Sequence, residues 1–281
     1  MDTTLSLECG RRLAKIVGGK LNNKIVYLHD KRKKCCNNCN KKCKGDCCDN
    51  CISNCNSKDI KEEVDYCSLD DKGVFQQMPN NEKGQSDVYM INGRRGCGKS
   101  WYLADLLKQY IKCNPKNKIF LFSQCKEDEL LDPLISKRID LEAYVEEEGL
   151  TPDDFPDDCF VCFDDVDMLS DDKPDKLKTK IFSLMNSLIQ LSRKRNISVA
   201  QTSHLTTNHG ETKHALNGCS SFTFFNASVS HQIRNALKIY FGLSKENIKR
   251  VLGIKNSRWT TIFTTSPQIC LTEKECFILK E

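Results

Sequence analysis

The chain has 281 residues, of which 39% are apolar and 29% charged, an ordinary soluble balance with room for one large domain and an appendage. No apolar run reaches the roughly 18 residues that a membrane span needs, and the N-terminal stretch lacks the apolar core of a signal peptide, so an intracellular protein with no membrane span is expected. The net charge of +5 hides a strong segregation: residues 11–48 carry 12 Lys/Arg against 2 acidic residues, residues 139–172 carry 14 Asp/Glu and no Lys/Arg, and residues 193–281 carry 13 Lys/Arg against 5 acidic residues. A basic tail and a basic C-terminal third suit either nucleic acid or plain solvated faces.

Residues 1–34 read as a weakly ordered basic segment. Leu13, Ile16 and Val17 suit a short helix stopped by Gly18-Gly19, and residues 25–28 suit a lone strand. Eight of the 18 cysteines fall between Cys35 and Cys55, where a pattern repeats with each cysteine displaced by 12 residues. Two C-x-x-C knuckles result, one of Cys36 and Cys39, the other of Cys48 and Cys51, and four thiolates so paired suit tetrahedral Zn²⁺. The eight residues between the knuckles are fewer than the usual zinc-ribbon spacing of about 15–20. A Cys-rich linker with no fixed ligand set, and disulfides, therefore stand beside zinc as readings. The segment 35–67 is taken as a Cys-rich appendage and 68–87 as a linker, leaving 88–281 as the main domain. The other cysteines are scattered singly and suit small buried hydrophobes.

From residue 88 onward strands and helices alternate, the pattern of a parallel α/β sheet flanked by helices. Strands are expected at 88–92, 118–123, 159–163, 197–202 and 222–225. Helices are expected at 99–112, 130–148, 177–195, 230–240 and 244–252. Runs at 259–264, 269–272 and 276–279 suit a closing antiparallel piece.

The first strand runs into Gly93-Arg94-Arg95-Gly96-Cys97-Gly98-Lys99-Ser100, which is G-x-x-x-x-G-K-S, the phosphate-binding loop of P-loop NTPases. Glycines let successive N–H groups turn toward phosphate oxygens. Lys99 can reach the β- and γ-phosphates, and the Ser100 hydroxyl can ligate Mg²⁺. A strand before the loop and a helix after it, aimed N-terminus first at the phosphates, are the context this reading needs. The third strand ends in Asp164-Asp165, about 65 residues downstream. This resembles a Walker B motif, with Asp164 on Mg²⁺ and Asp165 accepting a proton from, or orienting, the attacking water. Both lie at a strand's C-terminal end, where α/β sheets bind ligands. Asp167 is a weaker substitute. The fourth strand ends in Gln201-Thr202-Ser203-His204. Gln201 is the first choice as a γ-phosphate sensor, Ser203 and His204 are alternates, and Gln124 could act similarly from the second strand. Arg193, Lys194 and Arg195 close the preceding helix, either as its C-terminal charge complement or with Arg195 as an arginine finger across a subunit interface. Arg234 and Arg258 are further finger candidates. His204, His209 and His214 suit no usual metal spacing.

Taken together, GRRGCGKS, FLFSQ, CFVCFDD and LSRKRNISVAQTSH resemble the FtsK/HerA-type packaging ATPases of large DNA viruses, the poxvirus-like group, over roughly residues 88–225. The resemblance implies a RecA/FtsK-like P-loop fold, ATP and Mg²⁺, and an added catalytic acid. It implies nucleotide and magnesium roles for Lys99, Ser100 and Asp164, the catalytic acid at Asp165 and the sensor at Gln201. It implies a homo-oligomeric ring that threads double-stranded DNA into capsids, with capsid or portal partners, in the host cytoplasm or viral factory or on the virion. The Cys-rich repeat departs from that family pattern, and residues after 226 match no motif. A helicase-like or AAA+ NTPase, and a zinc-dependent nucleotide-binding adaptor without turnover, stay open as alternatives.

Overall fold

The structure is a computed structural model that describes residues 3–30, 64–80, 85–141, 150–169, 177–204 and 212–280. The N-terminal residues form a sheet, where weak order and a short helix were expected. Strands β1 (Thr3–Ser6), β2 (Arg11–Val17) and β3 (Ile25–Asp30) are antiparallel. Leu13 and Ile16 are buried in β2. Gly18 and Gly19 both have positive φ and turn the chain into β3, so the glycine pair expected to stop a helix makes a hairpin instead. The end of the segment expected as Cys-rich and the stretch expected as a linker each carry a strand. β4 (Tyr66–Ser68) pairs elsewhere, while β5 (Val74–Gln77) completes the small sheet in the order β1-β3-β2-β5.

The large sheet contains β6 (Val88–Asn92), β7 (Ile119–Ser123), β8 (Lys137–Ile139), β9 (Phe160–Asp164), β10 (Ser198–Ser203), β11 (Ser221–Phe225), β12 (Trp259–Phe263), β13 (Ile269–Thr272) and β14 (Glu275–Ile278). With β4 at one edge its order is β4-β14-β13-β12-β11-β6-β10-β9-β7-β8. The six strands from β11 to β8 are parallel; β12, β13, β14 and β4 extend them antiparallel. Every residue of β6, β7, β9, β10 and β11 is buried, as parallel strands covered on both faces require. β10 lies between β6 and β9, whereas β7, which follows β6 in the chain, lies beyond β9.

Helix α1 (Lys99–Cys113) and the small sheet cover one face. Leu103, Leu106 and Leu107 share a core with Leu13, Ile16, Ile91, Cys162 and Ala200. Helices α2 (Leu177–Arg195) and α3 (Lys213–Gly218) cover the other face, packing Ile181, Leu188 and Leu216 on Met90, Phe163 and Val199. α4 (His231–Ile239) and α5 (Lys245–Leu252) join that second core, and each opens on a serine cap, Ser230 and Ser244. Arg11 ties the small sheet to Asp87 at the foot of β6, at 3.4 Å.

The helix expected over 130–148 is not found in its described part. Asp128 Oδ1 accepts from the N–H groups of Leu130 and Leu131, and Asp132 Oδ2 from that of Asp128. These side-chain bonds give the backbone an alternative to helix, and the chain makes one 3₁₀ turn before β8. Half of the ten scattered cysteines are buried as expected, namely Cys159, Cys162, Cys219, Cys270 and Cys276, whereas Cys9, Cys67, Cys97 and Cys113 are half-buried; burial pushes the thiols of Cys159 and Cys219 up to about 12. Cys125 is exposed. The four cysteines expected as zinc ligands, Cys36, Cys39, Cys48 and Cys51, lie outside the described residues. Among the described residues no helix is long and apolar enough to cross a membrane.

Candidate functional site

The glycine-rich loop leaves β6 and enters α1 at the C-terminal end of the parallel strands. Gly93 N–H donates to Ser203 O (3.0 Å), Arg94 N–H to Ser228 Oγ (3.0 Å) and Cys97 N–H to Arg94 O (3.2 Å). A Cβ on Gly93 would stand 2.5 Å from Cys97 Sγ and 2.9 Å from the Phe225 ring, so only glycine fits there. Gly98 has φ +108° and turns the chain into α1, whose first residues are Lys99 and Ser100. Arg94, Arg95 and Gly96 are exposed. The free N–H groups of this helix start, with its dipole, make a place for an anion.

Lys99 is buried (5% exposed). Its ammonium donates to Gly93 O at 3.1 Å and stands 3.4 Å from Asp165 Oδ1. The residues of the glycine-rich loop and the acid at the end of β9 are therefore in contact. Asp165 has φ 48°, a left-handed conformation that aspartate tolerates better than most residues. That turn brings its carboxylate back beneath Lys99, about one third exposed. His204 Nε2 lies 3.0 Å from Asp165 Oδ2 and donates to it, since a carboxylate only accepts.

Asp164, 6% exposed, accepts from Thr202 Oγ1 at 2.7 Å. Thr202 Oγ1 also lies 3.1 Å from Asp165 Oδ1 and accepts from Asp165 N–H at 2.9 Å. Burial pushes the Asp164 carboxyl up to about 6, against the hydrogen bond from Thr202. Asp167, also buried, accepts from His204 N–H at 2.8 Å. The chemistry available is specific: a buried carboxylate with a strong demand for positive charge, a second carboxylate partly open to solvent, and a buried ammonium between them and the loop.

Two expected site residues lie elsewhere. Gln201 sits in register with Met90 and Phe163, on the face covered by α2. Side chains alternate along a strand, so Thr202, not Gln201, shares the face of Asp164 and α1. Gln201 is 2% exposed and neither of its amide atoms has a hydrogen-bond partner. Gln201→Met, similar in volume and lacking the orphaned amide, should leave the site intact and stabilise the fold by about 1 kcal/mol. Urea unfolding and nucleotide turnover measured together check this, and a ten-fold loss of turnover in a folded variant would restore Gln201 to the site. Arg195 closes α2 at the opposite end of the strands. Its guanidinium donates to Asp157 Oδ1 (2.7 Å), Pro152 O (2.5 Å) and Phe155 O (2.5 Å). Those bonds hold the loop before β9 and leave no free fork to reach another subunit. Arg193 and Lys194 beside it are exposed. Gln124 Nε2 donates to Met168 O at 3.3 Å, and Ser203 Oγ accepts from Asn92 Nδ2 at 3.1 Å.

Thr202 is the residue that sequence reasoning missed. No local pattern marks it: the register of β10 on β9, a non-local pairing, brings it level with Asp164. The described residues hold no group of three or more His, Cys, Asp or Glu arranged for a metal ion. The zinc expected at Cys36, Cys39, Cys48 and Cys51 thus finds no support in the structure, those four cysteines being outside the residues it describes. Ser100 and Asp164 supply oxygen ligands of the kind that Mg²⁺ takes, and a buried carboxyl raised to about 6 is one that a divalent cation would ionise.

No protein-family model matches the chain. It is 35% identical over 193 residues to "Uncharacterized protein V3" of Sputnik virophage, spanning 68% of this chain and 76% of that protein. Similar solved structures include the genome packaging NTPase B204 of Sulfolobus turreted icosahedral virus 2 in complex with sulfate, at 10% identity and a TM-score of 0.47, covering 67% of this chain and 96% of that one. The cytoplasmic domain of the Type VII secretion ATPase EccC of Thermomonospora curvata is 13% identical with a TM-score of 0.45, covering 68% of this chain and 26% of that one. The pCW3 conjugation coupling protein TcpA is 12% identical with a TM-score of 0.41, covering 95% and 77%.

Proposed function

The chain belongs to the family of the Sputnik virophage protein V3, and we propose that it is an ATP-hydrolysing motor that moves double-stranded DNA into viral capsids. One observation carries the hydrolytic part: Lys99 of the glycine-rich loop and Asp165 stand 3.4 Å apart, with Asp164 and Thr202 beside them. Incoming phosphates compete for Lys99, which leaves Gly93 O and Asp165 for the β- and γ-oxygens. Asp165, so released, takes a proton from water as the water oxygen bonds to the γ-phosphorus and the bond to the β-phosphate oxygen breaks. Thr202 and His204 hold Asp165 in place. Ser100 and Asp164 would hold Mg²⁺, which supplies charge neutralisation on the phosphates.

The DNA-moving part rests on the motif resemblance and the basic C-terminal third, and the virophage relative supports the viral setting alone. Assembly as a ring, contact with capsid or portal proteins, and work in the host cytoplasm, viral factory or virion belong to the same reading. ATP turnover with and without double-stranded DNA, alongside native mass, tests it. Turnover raised by duplex DNA in an ATP-dependent ring is expected. A monomer whose turnover ignores DNA would sink the motor and leave another NTPase, and nucleotide binding without turnover would leave an adaptor.

A further inference from the structure

Beside the glycine-rich loop lies a cavity that the hydrolytic reading does not use. It is lined by Gln76, Cys97, Trp101, Phe225, Arg258 and Glu273, among others. Its place follows from the sheet order. The acids and Thr202 stand at the ends of β9 and β10, on one side of β6, whereas Phe225 and Arg258 stand at the end of β11 and the start of β12, on the other. A nucleotide laid across the loop with its terminal phosphate at Asp165 therefore extends its sugar and base toward this cavity.

The lining suits a flat, uncharged ring. Trp101 follows Ser100 in the first turn of α1 and is 65% exposed, a large apolar surface left to water beside an anion site. The Arg258 side chain is 81% exposed, yet its position is set: Nε donates to Glu273 Oε1 at 2.7 Å, and its backbone N–H donates to Glu273 Oε2 at 2.6 Å. Phe225 forms the floor, 3% exposed, with its ring 3.4 Å from where a Cβ on Gly98 would stand. Tyr102 packs edge-on against Trp259 behind it, ring centres 5.0 Å apart. An exposed indole and a pinned planar guanidinium at one rim offer stacking surfaces for a base.

We propose that this cavity is the base site of the nucleotide, with Trp101 and Arg258 stacking on the ring. It rests on the nucleotide reading of the glycine-rich loop, so the experiment uses two probes on the full chain, ATP and inorganic tripolyphosphate, with calorimetric titration. Wild type binds both. Trp101→Ala and Arg258→Ala should each weaken ATP by about ten-fold and leave tripolyphosphate unchanged, while Trp101→Phe keeps most of the ATP affinity. Both side chains are exposed, and unchanged tripolyphosphate binding itself reports an intact loop. ATP affinity unaffected in both alanine variants, or both probes weakened equally, would overturn the base site while leaving the phosphate site standing. Failure of wild type to bind either probe would overturn the nucleotide reading and this inference with it.

Discussion

Asp165→Asn should lower ATP turnover by about a thousand-fold, within the range removed with a general base, while ATP binds at least as tightly as in wild type. Asparagine keeps the shape and tolerates the left-handed backbone that residue 165 adopts, and the backbone N–H bond to Thr202 is unaffected. What disappears is the proton acceptor and the charge 3.4 Å from Lys99. Lys99 then has one competitor fewer for phosphate, which is why affinity should hold or rise. Single-turnover phosphate release with calorimetric titration checks both halves. Turnover within five-fold of wild type would remove Asp165 from the role of base, and a joint collapse of binding and turnover would mark it as structural. Asp165→Ala is a poorer probe, because alanine in that conformation adds about 1 kcal/mol of backbone strain.

Asp164→Asn should abolish turnover through loss of a metal ligand, yet stabilise the nucleotide-free protein at neutral pH. The sign follows from the direction of the shift. Burial raises the Asp164 carboxyl to about 6 in the folded chain, above its unfolded value of about 3.9. Between those values the folded state binds more protons than the unfolded one, so rising pH costs stability across that window. Above it the penalty is constant, on the order of 3 kcal/mol at most. Asparagine carries no such penalty. Urea unfolding at pH 4, 5, 6 and 7 should therefore show the variant's advantage growing up to about pH 6 and then levelling. An advantage that does not change with pH would refute the assignment of that carboxyl.

Much of this was legible because it is local. G-x-x-x-x-G-K-S spans eight residues whose spacing is dictated by one turn around a phosphate, and Asp164-Asp165 ends an apolar run too long and too continuous to lie at a surface. The parallel strands announced themselves the same way. The N-terminal sheet was harder. Its strand Arg11–Val17 mixes charged and apolar residues on a short span, and its burial comes from packing on α1, which lies about ninety residues away in the chain. Short half-buried strands of that kind carry little intrinsic preference.

Composition and short-range spacing thus determined the class of the fold, the glycine-rich loop, and the pair of acids, since each depends on residues that are neighbours in the chain. Tertiary structure alone decided which strand lies between loop and acids, that Thr202 faces them while Gln201 is turned to the opposite core, and that Arg195 is spent on holding a loop at the far end of the sheet. Strand order and register are set by non-local pairing, and a shift of one residue in register exchanges the two faces of a strand. The difference between Gln201 and Thr202 is that single residue.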